Sequence, residues 1–345
     1  MNKDLLYFYL HPFLWPKGEL PDDPDVNWSG FSFGPYTWTI QTYLRLKKAG
    51  VSCVLTSEMP DKGIVIAHRE SWHSDDSHYA DPLSSAGDRF IVDVSCDLNL
   101  YTPANIHIVQ NPSQTKYLNC YYLPHWPQPG IVPRDPARGH VIENVAFFGN
   151  QKNLAPEFKE EAWGRAMKEM GLNFISKFKP FDHTDASTYG FDEFWNNYSD
   201  IDAIIAVRSF GSSGYDHKPA SKLFNAWLAG VPSILGRETA YSYYRKSEFD
   251  FIEVNSMSDV IVSLKRLQDD ELYWSKIMGN AAVRSREITH DKVVDKWIDL
   301  IEKVIIPEYR TYINRPRIFR RKLALYKNLH HSKARFFSSV AKKIK

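Results

Sequence analysis

The stretch Lys218 to Gly236, KPASKLFNAWLAGVPSILG, decides the fold, because it joins a polar helix start to a strand buried on both faces. Pro219 suits a first helical turn, where a missing N–H costs nothing, and Leu223, Phe224, Ala226, Trp227 and Leu228 give the helix one strongly apolar side. Gly230 ends it. Val231 to Leu235 is a short apolar run between Gly230 and Gly236, which predicts a strand of a parallel sheet covered on both sides.

Upstream, Ile201 to Val207 (IDAIIAV) predicts another buried strand, followed by the polar, glycine-bearing loop Arg208 to His217, so the whole region is a βαβ unit. Ligands of open α/β sheets gather at such strand C-termini. The helix start offers free N–H groups, and Arg208, Lys218, Ser221 and Lys222 surround it with donors for an anion such as a phosphate. The same side chains would also serve as solvated cover of an ordinary helix entrance.

The segment resembles the donor-binding half of GT-B glycosyltransferases, in which a loop, a helix ending in Ala-Gly-Val-Pro and a buried strand hold a nucleotide sugar. Here that pattern falls on Ala229 to Pro232. In the retaining branch that shares the helix, two glutamates flank the helix start; the resemblance places His217 and Asn225 at those positions, so neither is an acid, although Asn225 can hydrogen-bond a ribose hydroxyl. The wider sequence is similar to uncharacterised glycosyltransferases of bacterial surface-polysaccharide clusters. That likeness is carried by Gly34 to Leu46, Ile66 to Arg69, Val109 to Pro112, Pro124 to Gly130, Asn144 to Gly149 and Lys218 to Tyr241. It implies an α/β fold class with two Rossmann-like doubly wound domains facing a cleft, a nucleotide-sugar donor as substrate, no cofactor and no metal.

Composition is compatible with this. A chain of 345 residues, 43% of them apolar, is long enough for two domains. Its 10 Trp, 19 Tyr and 20 Phe include rings of the kind that cover apolar sugar faces, although core packing accounts for rings equally well. Cys53, Cys96 and Cys120 are odd in number and form neither a CxxC pair nor a cluster of metal spacing, which points to a reducing compartment. Leu5 to Leu10 is too short for a signal segment, and no run of 18 apolar residues is present to span a bilayer, so a cytoplasmic protein is expected.

Charge is unevenly placed. Residues 315–345 carry 11 Lys or Arg and no acid, leaving 32 basic against 41 acidic residues in 1–314. Phe319, Leu323, Tyr326 and Leu329 recur at helical spacing in this tail, with a second group at Phe336, Phe337, Val340 and Ile344, so a basic amphipathic helix lying on an anionic membrane surface is expected. A merely solubilising tail has the same composition; no nucleic-acid recognition motif accompanies it.

Along the chain, 1–135 is expected to form an N-terminal acceptor domain, 136–290 the donor domain, 291–314 a helix that, by the resemblance, crosses back to the first domain, and 315–345 the membrane-surface tail. Strands are predicted at Leu5–Leu10, Cys53–Leu55, Gly63–Ala67, Phe90–Val94 and Ile106–Val109, and a helix across Tyr36 to Ala49. The proline-rich Leu123 to Arg134 reads as an ordered linker. In the second half, Val145 to Phe148, Leu172 to Ile175 and Phe251 to Val254 are further strands, with helices across Glu157 to Met170, Ser258 to Leu267, Glu271 to Glu287 and Asp291 to Tyr309, the last interrupted near Pro307. The acidic pieces Asp22 to Asp25 and Asp75-Asp76 read as solvated loop rather than a metal site.

Sugar transfer requires stabilisation of a leaving nucleotide and handling of the acceptor hydroxyl. Arg208, Lys218 and Lys222 are the candidates for the first task. For the second, a base in the first domain is expected at His68, which follows a buried strand, or at Asp97, just after Phe90 to Val94. Gly34, opening a helix, permits close backbone approach to the donor. His125 and Trp126 in the linker border the cleft or pack the hinge, and Glu238 and Tyr241 are donor contacts or plain loop residues. The expected activity is metal-independent transfer of a sugar from a nucleotide-sugar to a bacterial surface glycan, with a lipid-linked acceptor at the inner membrane face. The alternative is an inactive glycan- or nucleotide-binding adaptor of the same fold.

Overall fold

A computed structural model describes residues 6–26, 28–72, 88–98, 100, 104–177, 196–211, 215–320, 322–323, 325–326 and 329. Two wholly parallel sheets are built from the continuous apolar runs. The first contains β1 (Leu6–Tyr9), β2 (Val54–Thr56), β3 (Lys62–His68), β4 (Asp88–Val94), β5 (Ile106–Val109) and β6 (Cys120–Tyr122), in the order β2-β1-β3-β4-β5-β6. The second contains β7 (Asn144–Phe148), β8 (Asn173–Lys177), β9 (Ala203–Ala206), β10 (Ser233–Gly236) and β11 (Ile252–Val254), in the order β11-β10-β9-β7-β8. Both orders reverse once, between β1 and β3 and between β7 and β9. Such a reversal opens a crevice at the C-terminal ends of the strands.

Around the sheets lie α1 (Thr42–Lys48), α2 (Glu161–Glu169), α3 (Ser221–Ala229), α4 (Thr239–Tyr244), α5 (Met257–Asp269), α6 (Glu271–Arg284), α7 (His290–Leu300) and α8 (Ile306–Ile313). Helix α3 ends as its sequence predicts, with Gly230 left-handed at φ +64. The first predicted helix differs at its start: Tyr36–Gln41 is π-helical, all six residues buried, and regular α-helix begins only at Thr42. The last long helix is interrupted near Pro307, as expected. A π-helical segment, Ile301–Ile305, joins α7 to α8, and Pro307 falls in the first turn after it, where a missing N–H and the ring are tolerated.

Chain and core change domain within the proline-rich linker. Trp126 belongs to the first-domain core and donates its indole N–H to Thr42 Oγ1 at 2.9 Å, whereas Ile131 packs in the second domain and Val132 bridges to Asn197. Arg134 and Arg138 then converge on Asp202. This fully buried carboxylate accepts four guanidinium hydrogen bonds of 2.8–3.1 Å and the backbone N–H groups of Glu143 and Asn144.

After the second domain the chain returns: Val293, Trp297, Leu300, Ile301, Ile305 and Tyr312 all pack into the first-domain core. Two facing α/β domains with this returning helix form the arrangement that the GT-B resemblance implies. Where the basic segment starts, Arg320 is held by Asp88 Oδ1 at 3.0 Å, and its guanidinium lies over the Tyr312 ring. Lys327 and the predicted apolar positions from Phe336 onward lie outside the described residues, as do Asp75 and Asp76. Asp23 and Asp25 pair with Lys48, and Asp25 also with Arg45.

Candidate functional site

The C-terminal edges of the two sheets face each other, and most of the residues singled out in the sequence lie along them. On the second-domain side, Arg208 leaves the end of β9 and forms a bidentate pair with Glu238, both carboxylate oxygens at 2.5 Å from Nη1. Both partners are largely buried; burial raises the Glu238 carboxyl while Arg208 draws it back down. Burial also works against the Arg208 charge, but Tyr241 and Glu238 beside it hold the guanidinium firmly protonated. The buried hydroxyl of Tyr241 is pushed upward by desolvation. Glu238 is therefore an ion-pair partner of Arg208, and it supplies no side-chain cap to α4.

Helix α3 begins beneath this pair. Its N-cap is Ala220, which has no side chain to satisfy the first backbone N–H groups, so the helix start presents donors and the positive end of its dipole. Ser221 and Lys222 are half-buried in its first turn. Lys222 lies with its stem alongside Gly149, after β7, where a Cβ would meet Lys222 Cε at 3.7 Å. Burial and the neighbouring Arg208 lower the Lys222 ammonium to about 8. A site that disfavours its own resident cation is poised to accept an anion.

The preceding loop is unusual in its backbone. Tyr215 has φ +38, a left-handed conformation uncommon for a bulky residue, and its ring lies under the Arg208 guanidinium while its hydroxyl donates to Ser209 Oγ at 3.0 Å. His217 follows, half-buried, and Lys218 reaches across the cleft to Asp97 Oδ2 at 3.3 Å. Asp97 itself follows a second left-handed residue, Cys96, at φ +39.

On the first-domain side, His68 ends β3 at the order reversal and is buried. Its Nδ1 accepts from the Glu70 backbone N–H at 3.3 Å, so a neutral ring carries its proton on Nε2, and that atom lies 3.5 Å from where a Cβ on Gly34 would sit. His125 has the opposite tautomer: Nδ1 donates to the Trp126 carbonyl at 2.7 Å, leaving Nε2 as the acceptor, and burial together with Lys222 lowers its pKa. Its ring stands edge-on to Trp38, with centroids 5.1 Å apart. Beneath this wall the buried Asp93 accepts from Ser95 Oγ at 2.7 Å and Trp72 Nε1 at 3.0 Å, and contacts His107 Nδ1 at 3.3 Å, which ties β4, β5 and the segment after β3 together.

Asn225 lies one turn along α3 from Ser221 and Lys222. It is buried, donates to Gln128 Oε1 at 2.8 Å and hydrogen-bonds Tyr198, so it joins α3 to the linker. Sequence reasoning passed over Asn111 as a functional residue, although its amide makes three polar contacts between the domains, and over the Tyr122–Tyr244 hydroxyl pair. An Asn-Pro pair directly after a buried strand was the signal for Asn111, since it marks a helix cap at a strand C-terminus. Among the described residues, no three His, Cys, Asp or Glu side chains are grouped to hold a metal, and no helix is long and apolar enough to cross a membrane.

The chain matches no protein-family model and no curated protein. Among solved structures it is similar to AviGT4, a glycosyltransferase involved in avilamycin A biosynthesis, at 12% identity and TM-score 0.48 over 91% of this chain and 99% of the other. It is also similar to Anabaena Alr3699/HepE in complex with UDP and glucose, at 11% identity and TM-score 0.46 over 79% and 83% of the two chains. For TarM the identity is 9% and the TM-score 0.45, over 75% of this chain. The chain spans 58% of the length of TarM and 60% of the matched chain of the GtfA/B complex.

Proposed function

We propose that this protein transfers a sugar from a nucleotide-sugar donor to a glycan acceptor across the cleft between its two domains. The observation that carries this reading is the convergence of Arg208, Lys218, Lys222 and the uncapped start of α3 at the C-terminal edge of the second sheet, opposite Asp97. Three cations and the N–H groups of a helix start in a partly desolvated crevice match the charge that develops on a departing nucleoside diphosphate, and do so without a metal. As the bond from the anomeric carbon to the phosphate oxygen breaks, its electron pair goes to the diphosphate. The acceptor hydroxyl forms the new bond, and its proton must leave.

Asp97 is the group proposed to take that proton. Its partner Lys218 is drawn to the donor phosphates, which frees a half-exposed carboxylate facing the cleft. His68, with its proton on Nε2, is proposed as a hydrogen-bond donor to bound sugar or phosphate beside Gly34. Ile318, Phe319, Tyr326 and Leu329, all exposed in the basic tail, support a lipid-linked surface glycan as acceptor, with the tail on the anionic inner face of the membrane.

A second reading is an adaptor that binds nucleotide or glycan without turnover; Asn225, tied to Gln128 and Tyr198 rather than presenting an acid to the donor, supports it. Thermal-shift and calorimetric titration with UDP, GDP, CMP and dTDP, followed by turnover of the matching sugar nucleotides on glycan acceptors, separates the two. Binding with turnover is expected. Binding without turnover supports the adaptor, and no binding of any of the four removes the transferase and leaves only a glycan-binding adaptor.

A further inference from the structure

We propose that Asn111 is a positioning residue: from the first domain it holds the second-domain loop that carries Lys218 in its anion-binding conformation. The placement of the loop stands on geometry alone, and its consequence for ligand affinity rests on the nucleotide reading above.

Asn111 follows β5 and is fully buried. Its two amide ends do different work. Oδ1 accepts from the Ser113 N–H at 3.0 Å, capping the short helical turn Pro112–Lys116 within its own domain. Nδ2 crosses to the other domain, donating to the Lys218 carbonyl at 3.0 Å and Thr239 Oγ1 at 2.9 Å, with the Tyr215 carbonyl a longer third acceptor at 3.4 Å. Two protons serve three oxygens there, so the amide is fully engaged. Ser113 Oγ adds a bond of 3.3 Å to the Asp216 carbonyl.

The acceptors are the ends of the segment Tyr215–Lys218 and the first residue of α4, immediately after Glu238. One side chain thus joins the loop bearing His217 and Lys218 to the turn bearing the Arg208 partner. It also steadies the backbone where Tyr215 is left-handed, a conformation that costs about 1–3 kcal/mol unless its surroundings fix it. Lys218 itself extends back to Asp97 in the first domain, so its reach across the cleft begins at a carbonyl that the first domain already holds. Closing the domains and assembling the cationic site are in this way one event.

Asn111→Asp tests the proposal cleanly. An aspartate keeps the capping oxygen for Ser113 and nearly the same volume, but replaces the donor that spans the domains with an oxygen facing two carbonyls. Hydrogen exchange by mass spectrometry on the full chain reads the loop directly, and the four nucleotides serve as ligand probes. The expected result is at least a tenfold faster exchange of peptides covering 215–222, with protection of β4 and β5 unchanged, and at least a tenfold rise in Kd for whichever nucleotide binds the wild type. Unchanged exchange in 215–222 overturns the proposal, as does faster exchange with unaltered nucleotide affinity, because the loop would then be held without consequence for Lys218. If the wild type binds none of the nucleotides, the transferase reading fails separately, and exchange alone decides whether Asn111 holds the loop. Ser113→Ala, which removes only the 3.3 Å contact, should change exchange less than threefold.

Discussion

Lys222 offers the sharpest quantitative test. With an ammonium lowered to about 8, the free protein carries that charge on about nine-tenths of molecules at pH 7 but only about a tenth at pH 9. A nucleoside diphosphate has already lost its last phosphate proton near pH 6, so the charge on its diphosphate is constant in this window. If the bound diphosphate keeps Lys222 charged, affinity must fall about tenfold between pH 7 and pH 9, with one proton taken up per ligand bound at the upper end. Calorimetry in two buffers of different ionisation enthalpy measures both. Replacing Lys222 with Met should remove the pH dependence and, through loss of a charge-assisted contact, weaken binding at pH 7 about 10- to 100-fold. Stability should move the other way. The folded-state pKa lies below the usual lysine value of 10.5, so the unfolded chain binds more protons between about pH 8 and 10.5, and stability of the wild type rises across that window. Below pH 8 the cost of the half-buried charge is fully present, about 1–3 kcal/mol after allowance for its partial solvation. The Met variant should therefore melt no lower than the wild type at pH 7. A wild-type affinity that is flat from pH 7 to 9, or a Met variant with unaltered affinity, refutes the assignment of Lys222 to the anion site.

Three further outcomes follow from other parts of the molecule. Asp202→Asn leaves two guanidinium groups, Arg134 and Arg138, facing a neutral amide in a buried network, and should destabilise the second domain by about 3–5 kcal/mol in urea unfolding; a loss below about 1 kcal/mol would show that the network is not the anchor of the linker. Asp97→Asn should lower kcat by at least a hundredfold while leaving the nucleotide Kd within about threefold, since the carboxylate is assigned to the acceptor proton; equal losses in both would make it a binding residue instead. Changing Lys322, Lys327, Lys333 and Arg335 to Gln should reduce co-sedimentation with anionic phosphatidylglycerol vesicles by at least a hundredfold, at about 1 kcal/mol per charge, and leave binding to neutral vesicles unaffected. Unchanged binding to both kinds of vesicle would assign the attachment to the apolar side chains.

Much of the fold was legible because it is written in local pattern. Continuous apolar runs give β3, β9 and β10, and Gly230 gives the end of α3, since only a left-handed residue fits that turn. The three-residue β6 carries no periodicity of its own and forms only because β5 offers an edge. The π-helical turn at Tyr36–Gln41 escaped for a related reason: an apolar stripe cannot distinguish i→i+4 from i→i+5 hydrogen bonding over so few residues. Arg208, Lys218 and Lys222 were found together because a single βαβ unit brings them to one strand end. The pairings that complete the site, Arg208 with Glu238, Lys218 with Asp97 and Asn111 with Lys218, join residues between 30 and 121 positions apart and leave no trace in a window of neighbours.

The two strained positions show why such a site resists local reading. Cys96 and Tyr215 are left-handed without being glycine or asparagine, so nothing in either residue type announces the conformation. They come just before Asp97 and at the head of the turn into Lys218, the two ends of the ion pair that spans the cleft. A strained backbone persists where its surroundings fix it more firmly than the strain releases it. For Tyr215 those surroundings are the Arg208 guanidinium, Ser209 and Asn111, and all three are part of the proposed donor site or its support. The conformation that aims Lys218 is therefore a property of the assembled cleft rather than of the loop's own sequence, and a donor that engages Arg208 acts on the same group that holds Tyr215 in place.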